Sequence, residues 1–136
     1  MSSGRSAWGR AKADVELERT RDPAGPIVKG IGPAGFRTDD GTFAALLMTV
    51  DAVAAWRPPP LAELSPDHLA PLLAGNPEFV LIGTGGDLSR PPSALVASLE
   101  DRGIGVEAMD SRAAARAWGV LRGEGRQIAA ALYPLA

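Results

Sequence analysis

Up to Pro26 the chain mixes charged, polar and small residues with no sustained hydrophobic period, and it closes on Asp22-Pro-Ala-Gly-Pro26, whose prolines and glycine discourage regular structure. The pattern predicts a flexible N-terminal tail over 1–26, with room for a helical turn or two over Ala13–Arg19 and Trp8 as an anchor, followed by a single domain over 27–136. From Ile27 the apolar positions read as strand: Ile27-Val-Lys29, Phe36-Arg-Thr38 and Thr42–Val50. Asp39-Asp-Gly41 supplies a tight antiparallel hairpin between the second and third. Ala52–Trp56 adds a strand before Pro58-Pro59-Pro60, which offers no N–H groups and fixes an extended path. Ser65-Pro66-Asp67-His68 has the form of a helix start, with Ser65 as N-cap, Pro66 in the first helical position and Asp67 near the positive end of the dipole. Leu69, Leu72 and Leu73 then share one apolar face, and Gly75-Asn-Pro77 ends it.

The second half is more regular. Phe79-Val-Leu-Ile82 is a continuous apolar run suited to a central strand covered on both faces. Pro91-Pro92 opens a helix whose Leu95, Val96 and Leu99 face the sheet, and Gly103 fits the left-handed position that closes it. Ile104–Met109 is the next strand. Asp110 or Ser111 caps a further helix in which Ala114, Ala117, Trp118 and Leu121 recur at helical spacing, and Gln127–Leu132 is the last strand. Helical crossovers favour parallel neighbours. The expected fold is therefore an α/β three-layer single domain, with a mainly parallel central sheet flanked by helices and an N-terminal antiparallel β element.

Composition narrows the chemistry. A hydrophobic fraction of 46% is that of an ordinary globular protein, and no apolar run approaches the roughly 20 residues that a membrane helix needs. Fourteen Lys and Arg against sixteen Asp and Glu give a net charge of −2, without the broad cationic surface that draws proteins to nucleic acid. No cysteine is present and His68 is the one histidine, so neither a disulfide framework, a thiolate zinc site nor a histidine cluster is expected. Residues 1–10 carry basic residues with no apolar core behind them, which is not the form of a secretory signal and suggests a cytoplasmic protein. No cofactor is implied.

Two glycine-rich stretches invite a ligand. Gly30-Ile-Gly-Pro-Ala-Gly35 fits the dinucleotide-binding spacing, but that motif works where a strand enters a helix, and here a strand and a hairpin turn follow. Gly83-Thr84-Gly85-Gly86 has the better context, between a strand and a helix, and the worse letters. Its third fingerprint glycine is missing, no Lys-Ser or Lys-Thr follows, and Pro91 and Pro92 remove two donors. Arg90 would pair with an anion beside the loop N–H groups, and Asp110 ends the next strand, where ribose-binding acids often sit. Arg112 and Arg116, one helical turn apart, have the spacing of a carboxylate or phosphate clamp or of a solvated face. His68 beside Asp67 reads as a solvated first turn, since no Gly-x-Ser-x-Gly elbow accompanies it. Trp118 falls on the apolar stripe, and Trp56, next to rigid extended chain, suits packing or a partner surface.

Several separated motifs then occur together in one order: Gly32-Pro-Ala-Gly-Phe-Arg37, Leu81-Ile-Gly-Thr-Gly85, Pro91-Pro92, Gly103-Ile-Gly-Val-Glu107, Met109-Asp110, and Val120-Leu with Glu124-Gly-Arg126. Over Ile27–Leu132 the chain resembles the small Mth938-like proteins of unknown function related to the mitochondrial respiratory complex I assembly factor 3. The resemblance implies a three-layer α/β domain and, for the mitochondrial members, assembly of complex I through protein contacts. It carries no catalytic residues. The chain departs from the family pattern in the helix after Asp110, where Ala115 and Ala117-Trp-Gly119 replace a cysteine and a Thr-Tyr-Asn stretch, which argues against thiol chemistry. Two functions follow: a noncatalytic interaction or assembly protein, with protein partners that include respiratory complex subunits, or a small anionic-ligand-binding protein or enzyme using the Gly83–Arg90 loop.

Overall fold

Tight turns organise the N-terminal half of the computed structural model, which describes residues 25–136. The expected tail features at Trp8 and Ala13–Arg19 lie outside the described residues. Strands β1 (Gly30–Gly32), β2 (Gly35–Thr38) and β3 (Gly41–Phe43) form a small antiparallel sheet in that order. The β2–β3 turn falls at Asp39-Asp40, where the Asp-Asp-Gly signal predicts it. Thr38 Oγ1 closes that turn, accepting from the Asp40 N–H and donating to the Gly41 carbonyl, both at 3.0 Å. The triple-glycine stretch is itself a hairpin, with β1 and β2 joined through Pro33-Ala34. It has no helix N-terminus to offer a pyrophosphate. Gly35, at φ +123°, is required there, because a Cβ would collide with the Phe43 carbonyl.

Two expected strands shift. Ile27–Lys29 precedes the first strand, since strand pairing radiates from the Gly32–Gly35 turn rather than following the β-branched residues. Thr42–Val50 divides between sheets: Thr42 and Phe43 stay in β3, and β4 (Leu46–Met48) enters a larger sheet. Phe43 through Met48 is continuously apolar, so no alternation marks the point of change.

The larger sheet adds β5 (Val53–Ala55), β6 (Phe79–Gly83), β7 (Gly105–Met109) and β8 (Ala129–Leu132), in the order β5-β4-β8-β6-β7. This corrects the expected mainly parallel sheet to a mixed one. β6 runs parallel to β7 and β8, whereas β4 is antiparallel to β8 and β5. The C-terminal half delivers its strands through helices α2 (Ser93–Asp101) and α3 (Ser111–Gly123), and the N-terminal half contributes a hairpin, which can only be antiparallel. β6 is an interior strand, but the middle position belongs to β8.

Right-handed crossovers running in opposite directions along a sheet place their helices on opposite faces. The core follows that rule. Leu47, Val80, Ile82, Ala129 and Ala131 point to one face, under Leu95 and Leu99 of α2 and Leu72 and Leu73 of α1 (Ala70–Leu73). Leu46, Met48, Leu81, Ala130 and Leu132 point to the other, under Ala114, Ala115 and Trp118 of α3 and Phe36 of the small sheet. Before α1, the Ser65 N–H donates to His68 Nδ1 at 3.0 Å, so His68 caps the helical turn at Pro66–Leu69.

Trp118 is completely buried, and its indole N–H donates to the Pro26 carbonyl at 2.8 Å, tying the start of the described chain to α3. Trp118→Ala is predicted to lower the unfolding free energy by about 3–5 kcal/mol in urea titrations followed by circular dichroism. Trp118→Phe should cost visibly less, because it keeps the ring packing and loses the N–H.

Candidate functional site

The end of β6 is pressed against the first turn of α3. A Cβ on Gly83 would lie 2.8 Å from both Ser111 Oγ and a Leu132 methyl, so only glycine fits. Beyond it the loop turns inward. The Thr84 N–H donates to the Met109 carbonyl at 2.8 Å; Thr84 Oγ1 donates to the Asp87 carbonyl at 2.7 Å and accepts from the Ser89 N–H at 3.0 Å. Gly85, at φ +103°, donates to Ser111 Oγ at 2.9 Å, and its carbonyl accepts from the Ser111 N–H at 2.8 Å. Ser111 Oγ donates in turn to the Tyr133 carbonyl at 2.8 Å, while the Tyr133 N–H donates to the Gly83 carbonyl at 2.9 Å. Ser111 is completely buried at the centre of this ring. The N–H groups of Thr84, Gly85 and Ser89 are thus spent inside the protein, whereas a phosphate cradle needs such groups converging on open space.

The eight candidate residues separate. Gly83, Thr84, Gly85 and Gly86 lie in the loop, and Asp110 beside it accepts from the Ala113 N–H at 2.9 Å as the N-cap of α3. That bond gives Asp110 a folding role as a helix cap. Arg90 is exposed at the far side of the loop and forms no ion pair among the described residues. Arg112 and Arg116 lie elsewhere, on the outer face of α3, where with Ala115 and residues Val28–Ile31 they border a groove of about 340 Å³.

Sequence reasoning missed two residues. Ser111 entered only as an alternative helix cap, and nothing local links it to Tyr133. Tyr133 donates its hydroxyl to the Pro59 carbonyl at 2.8 Å and packs edge-on against Trp56, with ring centres 5.1 Å apart. Trp56 and the proline run are thereby packed onto the end of the sheet. Burial pushes the Tyr133 phenol up to about 12. At the opposite end of β6, Arg126 donates twice to Glu78 Oε1, at 2.9 and 3.0 Å, and lies over the Phe79 ring. The Arg126 hydrogen bonds, with the Gln127 N–H on Oε2, hold the Glu78 carboxyl below its ordinary range. Arg126 acts as a clamp between the starts of β6 and β8.

Comparison with known proteins places this geometry. Residues 28–133 match the family model described as "Protein of unknown function (DUF498/DUF598)". An uncharacterised protein of Rhodobacter capsulatus is 35% identical over 111 residues, covering 79% of this chain and 84% of that protein. The NADH dehydrogenase (ubiquinone) 1 alpha subcomplex assembly factor 3 of Danio rerio is 29% identical over 126 residues, covering 90% of this chain and 72% of that protein. The solution structure of a Mth938-like domain from Bordetella pertussis is similar with a TM-score of 0.73 and 26% identity, covering 90% of this chain and 94% of that one.

Ser111→Ala leaves the Gly85 N–H and the Tyr133 carbonyl buried without their partner. It is predicted to cost about 2–4 kcal/mol of stability in denaturant titrations, with faster amide exchange at Gly85. The chain has one tyrosine, so tyrosinate absorbance reads Tyr133 alone. A phenol that is harder to ionise when folded stabilises fully below the ordinary tyrosine pKa of about 10, and that stability is lost as pH rises toward about 12. The thermal midpoint of the wild type should fall across that window more steeply than that of Tyr133→Phe.

Proposed function

We propose that this chain, which belongs to the DUF498/DUF598 family of proteins of unknown function, is a noncatalytic interaction or assembly protein. Its likeness to the Danio rerio assembly factor over 126 residues supports that reading. The observation that carries it is the loop at Gly83–Gly86. The feature most like a ligand cradle commits the Thr84 and Gly85 N–H groups to Met109 and Ser111, and the loop's one exposed cation is Arg90. In this reading the fold is a three-layer scaffold, with α1 and α2 on one face of the sheet and α3 with the small sheet on the other. Its partners are protein subunits, those of a respiratory complex first among them, and it meets them from the cytoplasm. No helix among the described residues is long and apolar enough to cross a membrane.

The alternative, a small anion held at the Gly83–Arg90 loop, rests on Arg90, which is exposed and forms no ion pair among the described residues. Affinity purification of the tagged full chain with mass spectrometry is expected to enrich subunits of a respiratory or other membrane complex above background, unchanged by Arg90→Ala. A chain that captures nothing, yet is stabilised in a thermal-shift screen by a phosphorylated metabolite in an Arg90-dependent way, would reverse the preference.

A further inference from the structure

Helix α3 breaks two electrostatic rules at one place. Arg112 stands in its first turn, where the positive end of the macrodipole disfavours a cation. Arg116 stands four residues on, where a like charge on the same helix face is destabilising. Asp110 sets its carboxylate at the start of the same helix, on the Ala113 N–H, but it is not ion-paired with either arginine. Neither arginine forms an ion pair among the described residues, and α3 contains no acidic residue in a chain whose net charge is −2. Two like charges that no ion pair among the described residues answers mark a surface kept for something outside the fold.

The groove beside these arginines has an unusual wall, lined by the four consecutive residues Val28–Ile31. Only alternate residues of an extended segment share a face, so this groove runs along the backbone rather than over one set of side chains. Gly30 and Ile31 belong to β1, the edge of the small sheet, which has β2 on one side and, among the described residues, no strand on the other. Such an edge presents N–H and C=O groups to an added strand.

We propose that this groove docks an acidic, extended polypeptide segment, which adds as a strand to the free edge of β1 and sets alternate carboxylates against Arg112 and Arg116. The repeats agree: four helical residues rise about 6 Å, and alternate residues of a strand stand about 6.6 Å apart. A single phosphate needs converging donors, whereas two guanidiniums spread along a helix match two separate carboxylates. The inference deepens the protein-interaction reading above and rests on it.

The test titrates the isotope-labelled full chain by NMR with a short peptide alternating Glu and Thr, with its Gln-for-Glu counterpart, and with inorganic phosphate. The Glu peptide is expected to shift the amides of residues 28–32 and 112–116. Replacing Glu by Gln, or introducing Arg112→Glu with Arg116→Glu, should each weaken binding on the order of 10-fold while the remaining spectrum stays folded. Absence of saturable binding, indifference to the Gln replacement, or shifts centred on residues 83–90 overturns the proposal, as does phosphate binding as tightly as the peptide. The charge-reversed chain, used as bait, separates this proposal from the reading beneath it. If it captures the same subunits as the wild type, the groove is wrong and the interaction role stands; if the wild type captures none, the role itself fails.

Discussion

A single buried hydroxyl holds one end of this molecule together. Ser111 Oγ accepts from Gly85 and donates to the carbonyl of Tyr133, while its own N–H reaches the Gly85 carbonyl. Three segments far apart in sequence therefore meet on one side chain: the exit from β6, the entry to α3 and the chain beyond β8. In a dry interior each of those backbone groups is costly unless paired, so the loop, the helix start and the C-terminal segment fix one another's positions. From Tyr133 the same chain of contacts continues to Pro59 and Trp56, which seats the proline run without any regular structure of its own.

That economy separates structural from functional surface. Gly83 is small because α3 leaves no room for a side chain, Asp110 is acidic because a helix begins there, and Arg126 is basic because Glu78 must be held at the head of β6. Each lies in a stretch that resembles the family pattern, and each is accounted for by folding alone. Arg112 and Arg116 have no such internal explanation. The contrast in how the two kinds of residue are satisfied directs attention from the loop to the outer face of α3.

What was legible in the sequence was local. The Asp39–Gly41 turn, the start of α2 after Pro92, the left-handed Gly103 at φ +78° and the Asp110 cap each depend on a few neighbouring residues whose conformational preferences agree. What escaped was set by distant partners. The mixed sheet depends on where the β4–β5 hairpin docks, and a run of apolar residues from Phe43 to Met48 reads the same whether it serves one sheet or two. The Ser111–Tyr133 bond spans 22 positions, and the groove beside Arg112 exists only because β1 passes alongside it. Arg112 and Arg116 were recognisable as a pair, but the backbone edge beside them was not.

The position of β8 bears on the order of events during synthesis. It is the last strand in chain order and the middle strand of the larger sheet, a run of three alanines and a leucine buried on both faces. Until it leaves the ribosome, the β4–β5 hairpin and the β6–α2–β7 unit have no common neighbour, and each presents an unpaired interior edge to solvent. Once β7 is complete at Met109 the chain carries two sticky halves, and their joining waits on residues 129–132.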